Sequence, residues 1–90
     1  MDIKITLAST LAEHIGGRTT YSLEGANVGE ALHNLAREAP GLAAILWRGG
    51  EINPMLVVFR NDEQVASPQD LEDPLGDDDE LAIITAVEGG

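Results

Sequence analysis

Cysteine is absent from this chain of 90 residues, and aromatic side chains make up 3% of it. The absence of cysteine excludes disulfides, iron–sulfur clusters, thiolate zinc sites and a thiol nucleophile, so sulfur chemistry would need sulfur from another molecule. No apolar run approaches the roughly 20 residues of a membrane span, and residues 1–4 lack the basic and apolar regions of a signal peptide. We therefore expect one small cytoplasmic domain without a membrane partner, which folds alone as a monomer.

Positive charge is scarce as well. Five basic residues stand against 16 acidic ones, which gives a net charge of −11, and Lys4 is the one lysine of the sequence. This charge argues against binding of a nucleic-acid backbone and favours a basic protein partner. An acidic surface that serves solubility, or a salt-adapted source, explains the same composition equally well. A modifier that forms chains on itself needs acceptor lysines, and this sequence offers almost none.

Alternation of apolar and polar residues predicts two strands in the first quarter of the chain. Ile3, Ile5 and Leu7 alternate with polar residues, as expected of a strand with one buried face. Residues 18–24 repeat the pattern, with Tyr21 and Leu23 directed inward, and form a hairpin with the first strand. The intervening residues 8–15 fit either a short helical turn or a loop.

The sequence predicts a helix that begins at Asn27. Asn27 and Glu30 have the spacing of a capping box, and Pro40-Gly41 ends the helix. His33 falls on the polar face and is interpreted as a solvated residue, and His14 has no companion at metal-ligand spacing. The apolar face is formed by residues at helical spacing: Val28, Ala31, Leu32, Leu35 and Ala39.

The second half of the chain predicts a short helical turn and three strands. Residues 42–47 form an apolar run that closes the core, with Trp47 as a packing residue, and residues 48–50 form a loop without chemistry. Strands over 55–60 and 63–66 form a hairpin around Asn61-Asp62, and Leu71 and Leu75 anchor the following loop. The three aspartates 77–79 lack the spacing of a calcium loop and indicate a solvated turn into a last strand over 80–85.

This order of elements places one main helix across one face of a mixed four- to five-stranded sheet, an α+β fold of two layers. The sequence then ends in Gly89-Gly90. Glycine has no Cβ, so an extended diglycine fits a narrow channel and brings the Gly90 carboxylate close to another protein. An ionised carboxylate is unreactive, so this group requires activation, and adenylation by a partner that binds ATP is the expected first step.

The pattern resembles the β-grasp, ubiquitin-like fold and, specifically, the ThiS/MoaD family of small sulfur-carrier proteins. The resemblance covers the whole chain. Two departures concern Thr85-Ala86, where the family often has proline, and Glu88, where a small or polar residue is common. The residues that carry the resemblance are Ile3-Lys4-Ile5, the capped helix from Asn27, Asn61-Asp62-Glu63, and the turn Leu75-Gly76-Asp77-Asp78-Asp79-Glu80 with the strand and tail that follow it.

The resemblance implies a domain over residues 1–85 and a flexible tail over 86–90. An E1-like enzyme of the ThiF/MoeB type adenylates Gly90, and a sulfur source converts the adenylate to a thiocarboxylate. A biosynthetic enzyme then accepts the sulfur. Val87, Glu88 and Gly89 thread the tail into the partner. By the same resemblance, we expect the protein to be a co-substrate and not an enzyme, and to bind no metal or cofactor of its own, because ATP and magnesium enter through the partner.

Docking requires a surface beside the tail. If Leu56 and Val58 face the helix, alternation places Val57 and Phe59 on the other face of the sheet, together with Ala82 and Ile84 of the last strand. We expect these four residues to form an apolar patch for the partner. The alternative is that residues 42–47 cover Val57 or Phe59. Acidic side chains around the patch would steer a basic groove towards it: Asp62, Glu63, Asp79 and Glu80.

Two other functions remain open. The chain fits a ubiquitin-like modifier that is joined through Gly90 to lysines of targets, or a non-catalytic β-grasp interaction module. An independent enzyme has the least support, because no nucleophile, base and orienting residue occur together. The recipient pathway is also open among molybdopterin, thiazole, cysteine and specialised-metabolite synthesis, although residues 60–65 look closer to carriers of the cysteine-synthesis type.

Overall fold

A computed structural model describes residues 2–65 and 68–85 of the chain. Short 3₁₀ turns occur at Glu13–Ile15, Pro40–Leu42 and Pro68–Glu72. The strands are β1 (Asp2–Leu7), β2 (Thr20–Glu24), β3 (Trp47–Arg48), β4 (Glu51–Ile52), β5 (Leu56–Arg60), β6 (Glu63–Val65) and β7 (Glu80–Thr85), and the helices are α1 (Ser9–Ala12), α2 (Val28–Glu38) and α3 (Ala43–Leu46).

Five strands form one sheet in the order β2-β1-β7-β5-β6. The pair β1 and β7 is parallel, and the other neighbours are antiparallel, so the sheet is mixed. Helix α2 packs across one face of it. Both hairpins, β1–β2 and β5–β6, occur where the alternation predicted them, and the predicted two-layer α+β arrangement is confirmed.

The core lies between α2 and one face of the sheet. Alternate residues of the strands point towards the helix, which is why β1 shows a strict exposed and buried alternation. Burial of one large aliphatic side chain contributes about 1.5–3 kcal/mol before entropy is considered, so this set provides most of the favourable term in folding. The most completely buried members are Ile3, Ile5, Val28, Leu32, Leu35, Val58, Leu81 and Ile83.

The N-terminus of α2 is fixed as the sequence predicted. The Glu30 backbone N–H donates to Asn27 Oδ1 at 2.8 Å, which satisfies one of the free amides of the first turn. Glu30 Oε1 in turn accepts from the Ala26 backbone N–H at 2.7 Å, one residue before the cap. Gly25 precedes this cap because a Cβ at that position would lie 2.6 Å from the Ala31 Cβ.

Residues 42–47 lie on the same side of the sheet as α2. Leu42 and Leu46 are buried in the core, and Trp47 packs partly against it, as expected of a segment that closes the core. The ring of Trp47 also stacks on His33 of α2, with centroids 4.4 Å apart. His33 is exposed, as predicted, although one face of its ring is in contact with Trp47.

The loop predicted at residues 48–50 is instead the turn of a small hairpin, β3–β4, in which Trp47 pairs with Ile52. Gly49 and Gly50 have φ values of 61° and 84°, the combination that a tight type I′ turn requires. The segment before β2, for which the sequence fitted either a helical turn or a loop, is also defined by the structure. Residues 9–15 form a helical turn and a 3₁₀ turn, which decides the ambiguity of that segment.

Candidate functional site

Strands β5 and β7 place the four predicted patch residues side by side. The antiparallel register sets Val57 opposite Ile84 and Phe59 opposite Ala82. Their neighbours along the strands are buried towards α2, so these two pairs point to the other face of the sheet. Ile84 is 41% exposed, and the other three are half-buried. We call Val57, Phe59, Ala82 and Ile84 the open-face strip.

The open-face strip is not covered by residues 42–47. That segment lies against α2, on the opposite side of the sheet, where Leu42 and Leu46 enter the core. The alternative in which it covers Val57 or Phe59 is therefore wrong. The strip is bordered by polar residues on the adjoining strands: Thr6 of β1 is in register with Ala82, and Gln64 of β6 with Phe59.

Towards the chain end, the open-face strip leads to Thr85, the last residue that the structure describes. Thr85 pairs with Leu56, one step beyond the Val57–Ile84 pair. The residues predicted to thread the tail (Val87, Glu88, Gly89) and to be modified (Gly90) lie outside the described residues.

Met55 lies next to the open-face strip and was not among the predicted patch residues. It stands directly before β5 and is 47% exposed. Met55 and Ile84 are the two large apolar residues classed as exposed in the described parts of the chain, and both lie at the Thr85 end of β5 and β7. The signal that could have indicated Met55 is its alternation with Val57 and Phe59 in the predicted strand over 55–60.

One of the acidic residues predicted to steer a partner has a structural contact. Asn61 Nδ2 donates to Asp79 Oδ1 at 3.0 Å, and the Gly76 backbone N–H donates to Asp79 Oδ2 at 2.8 Å. The bond from Asn61 and then that from Gly76 lower the pKa of Asp79; desolvation opposes them, and the charge of Arg60 adds a lesser lowering effect. Asn61 Oδ1 accepts from the Glu80 backbone N–H at 3.1 Å. We call this connection between the β5–β6 turn and the start of β7 the Asn61–Asp79 clasp.

The three other predicted steering residues, Asp62, Glu63 and Glu80, are exposed. Asp62 and Glu63 belong to the β5–β6 turn and the start of β6, and Glu80 begins β7. They therefore lie at the end of the sheet opposite to Thr85. These three acidic side chains and Thr85, after which the tail begins, therefore lie at opposite ends of the sheet.

Within residues 2–65 and 68–85, no group of three or more histidine or acidic side chains is arranged to hold a metal ion. The helices of the same residues are all too short or too polar to cross a membrane. His14 and His33 therefore belong to no such group within these residues.

A mixed sheet of this order, crossed by one helix and bearing an apolar strip beside the chain end, defines a ubiquitin-like domain with the β-grasp fold. The chain belongs to the ThiS family, whose model matches residues 5–90. This confirms the family resemblance drawn from the sequence. Members of the family are small sulfur-carrier proteins, not catalysts themselves.

Individual relatives agree with this assignment over their whole length. The chain is 29% identical over 92 residues to small archaeal modifier protein 3 of Haloferax volcanii, with all of both chains covered. It is 26% identical over 93 residues to the sulfur carrier protein CysO of Mycobacterium tuberculosis, again with full coverage. Among solved structures, the BexX/CysO complex of Amycolatopsis orientalis contains a chain that is 30% identical, with a TM-score of 0.85 and coverage of 98% of this chain and 99% of that one.

Proposed function

We propose that this protein is a sulfur carrier whose Gly90 carboxylate is adenylated by an E1-like enzyme and converted to a thiocarboxylate. The observation that carries the proposal is the family match, which extends to the diglycine, together with the open-face strip that leads towards it. The carboxylate oxygen attacks the α-phosphorus of ATP, and pyrophosphate leaves. A sulfur nucleophile then attacks the acyl carbon, and AMP leaves.

The residues of the chain explain why the chemistry must be shared with a partner. The chain has no cysteine, so it cannot supply the sulfur. It has five basic residues. One of them, Arg60, forms a salt bridge with Asp73 at 3.4 Å. Stabilisation of the charge on a transferring phosphoryl group requires cations, which here would come from the activating enzyme and its magnesium. The carrier contributes the acyl group and the surface that positions it.

The open-face strip is proposed as the docking surface for that enzyme. An apolar patch on a small monomer commonly marks a protein interface, and half of the strip, Ala82 and Ile84, belongs to the strand that continues into the tail. Docking there would fix the origin of the tail relative to the active site of the partner. The acidic residues at the other end of the sheet would orient the approach by long-range attraction to basic groups, so the on-rate would fall as salt increases.

A solved complex of one relative supports the proposal that this chain binds a protein partner. CysO of A. orientalis was crystallised as a complex with BexX. We propose the same kind of role for the present chain, in which an activating enzyme and a sulfur-accepting biosynthetic enzyme bind it in turn. ATP and magnesium would be bound by the activating enzyme.

The test is intact-protein mass spectrometry after incubation with ATP, magnesium, a sulfide source and the E1-like enzyme encoded in the same genome. Replacement of one oxygen by sulfur gives nearly the same mass increase as oxidation of a methionine, so mass alone is ambiguous. Treatment with a reagent that alkylates thiols distinguishes the two products. The chain has no cysteine, so a thiocarboxylate is the sulfur group expected to react. Alkylation localised to Gly90 would support the proposal.

A ubiquitin-like modifier is the second candidate, favoured by the full-length similarity to small archaeal modifier protein 3. It shares the adenylation step and differs in the acceptor, which would be a lysine amine of a target protein. Isopeptide conjugates that accumulate in cells, without a thiocarboxylate, would favour this function. If the active enzyme forms no adenylate on Gly90, the non-catalytic interaction module becomes the better explanation.

A further inference from the structure

The turn before β5 is fixed by a buried asparagine. Asn53 is 8% exposed, and its side chain makes two hydrogen bonds: Nδ2 donates to the Ile45 carbonyl at 2.9 Å, and Oδ1 accepts from the Met55 backbone N–H at 2.9 Å. Its backbone N–H donates to the Leu46 carbonyl at 2.8 Å, and its carbonyl accepts from the Leu56 N–H at 2.9 Å. A buried amide is costly without partners, so these four bonds hold the turn in one conformation.

This rigid turn presents a side chain that contributes little to the core. Met55 is 47% exposed, although its backbone is tied to the buried Asn53. The next residue, Leu56, pairs with Thr85, and the exposed Ile84 pairs with Val57. Met55 therefore lies next to the open-face strip, at the Thr85 end of β5 and β7. The side chain of methionine is flexible and polarisable and adapts to the pocket that it meets, which suits a contact with the activating enzyme.

We propose that Met55 is a contact between the carrier and its activating E1-like enzyme, and that reversible oxidation of its thioether weakens this contact. The inference rests on the proposed function, because it assigns Met55 to the same docking surface. A hydroperoxide is the oxidant. The sulfur lone pair attacks the distal peroxide oxygen, the S–O bond forms as the O–O bond breaks, and the alcohol or water leaves. The sulfur is oxidised by two electrons, and the peroxide is reduced.

The consequence follows from burial in the complex. A thioether fits a dry apolar pocket, whereas a sulfoxide brings a polar oxygen that loses its water there and finds no donor. We expect the Kd for the partner to rise roughly tenfold, which corresponds to about 1.4 kcal/mol. The fold should be unaffected, because the Met55 side chain is already half in water. The absence of cysteine also leaves no thiol in the chain to compete for the oxidant.

The experiment compares the unmodified protein with Met55→Leu, each before and after mild treatment with hydrogen peroxide. The sequence has two methionines, so Met55→Leu retains Met1 and controls for oxidation at that site. Binding to the E1-like enzyme is measured by calorimetry, adenylation of Gly90 by pyrophosphate release, and folding by thermal unfolding. Treatment of the oxidised protein with methionine sulfoxide reductase provides a rescue.

We expect the oxidised protein to bind roughly tenfold more weakly, to recover after reduction, and to unfold at an unchanged temperature. The Kd and the adenylation rate of Met55→Leu, whatever their values before treatment, should not change on treatment with peroxide, because this variant has no thioether at position 55. An unchanged Kd after oxidation, an equal loss in Met55→Leu, or a lowered unfolding temperature would each overturn the role of Met55 while adenylation of untreated protein still supported the sulfur-carrier function. A lack of adenylation in every untreated sample, with the enzyme active on another carrier, would overturn the proposed function and this inference with it.

Discussion

Ile84 and its neighbour Ile83 offer a sharp test of the docking surface, because the two residues point to opposite faces of the sheet. Ile84 is 41% exposed on the open face, and Ile83 is completely buried against α2. We predict that Ile84→Asn weakens binding to the activating enzyme with little effect on folding. Ile83→Val, as the matched control, should lower stability and leave binding by the folded protein unchanged.

The expected magnitude follows from the exposed fraction of Ile84. Full burial of an isoleucine side chain is worth about 1.5–3 kcal/mol, so burial of the 41% that remains exposed contributes about 0.6–1.2 kcal/mol. An asparagine amide left unpaired in the interface costs about 1–3 kcal/mol more. The Kd should therefore rise by about 15- to 1,000-fold. Removal of one methylene at Ile83 should lower the free energy of unfolding by about 0.5–1.5 kcal/mol.

The assay is titration calorimetry of each variant against the E1-like enzyme, with urea unfolding followed in parallel. The choice of asparagine avoids a change in net charge, so a loss of binding cannot come from altered electrostatic steering. A Kd of Ile84→Asn within about threefold of the unmodified protein, with the fold intact, would refute the placement of the interface on this face.

Three further predictions follow from contacts described above. The pKa of Asp79 is lower in the folded protein than in the unfolded chain, so this carboxylate contributes stability above about pH 4 that is lost as the pH falls through its folded pKa; urea unfolding of Asp79→Asn should show a weaker loss of stability in that range than the unmodified protein, and identical slopes would contradict the clasp. Asn53→Ala should lower the free energy of unfolding by about 1–3 kcal/mol, because the Ile45 carbonyl and the Met55 N–H lose a buried partner; an unchanged denaturation midpoint would count against this. Gly90→Val, or an extension beyond Gly90, should abolish adenylation without a change in the unfolding midpoint, as measured by pyrophosphate release, and normal adenylation of either variant would remove the tail from the mechanism.

The sequence indicated most of the fold because its strands and main helix have long, regular patterns. Six residues of β1 alternate without exception, and α2 has both a cap at Asn27 and an apolar face. The hairpin β3–β4 was missed because strands of two residues have no alternation to detect. The stacking of Trp47 on His33 was also missed, because the two residues belong to different elements and no local pattern links them.

The site was predicted less completely than the fold. Alternation correctly assigned the faces of β5 and β7, but it could not show that Val57 lies opposite Ile84, since these residues are far apart in the chain. The same reason hid the Asn61–Asp79 clasp, whose partners are 18 residues apart. The parallel neighbours β1 and β7 are far apart in the sequence, so the alternation within each strand could not show that they pair.

The central position of β7 also has a mechanical consequence. On one side it is joined to β1 through Lys4–Glu80 to Leu7–Ile83, and on the other side it is joined to β5 through five residue pairs. A force that pulls on the chain beyond Thr85 acts along the strand and loads both ladders in shear, so their hydrogen bonds must break together. An edge strand pulled across its ladder would instead open one bond at a time. The strand that carries the tail is thus held on both sides, so tension on the tail, of the kind that the proposed threading into the activating enzyme would apply, would load both ladders at once.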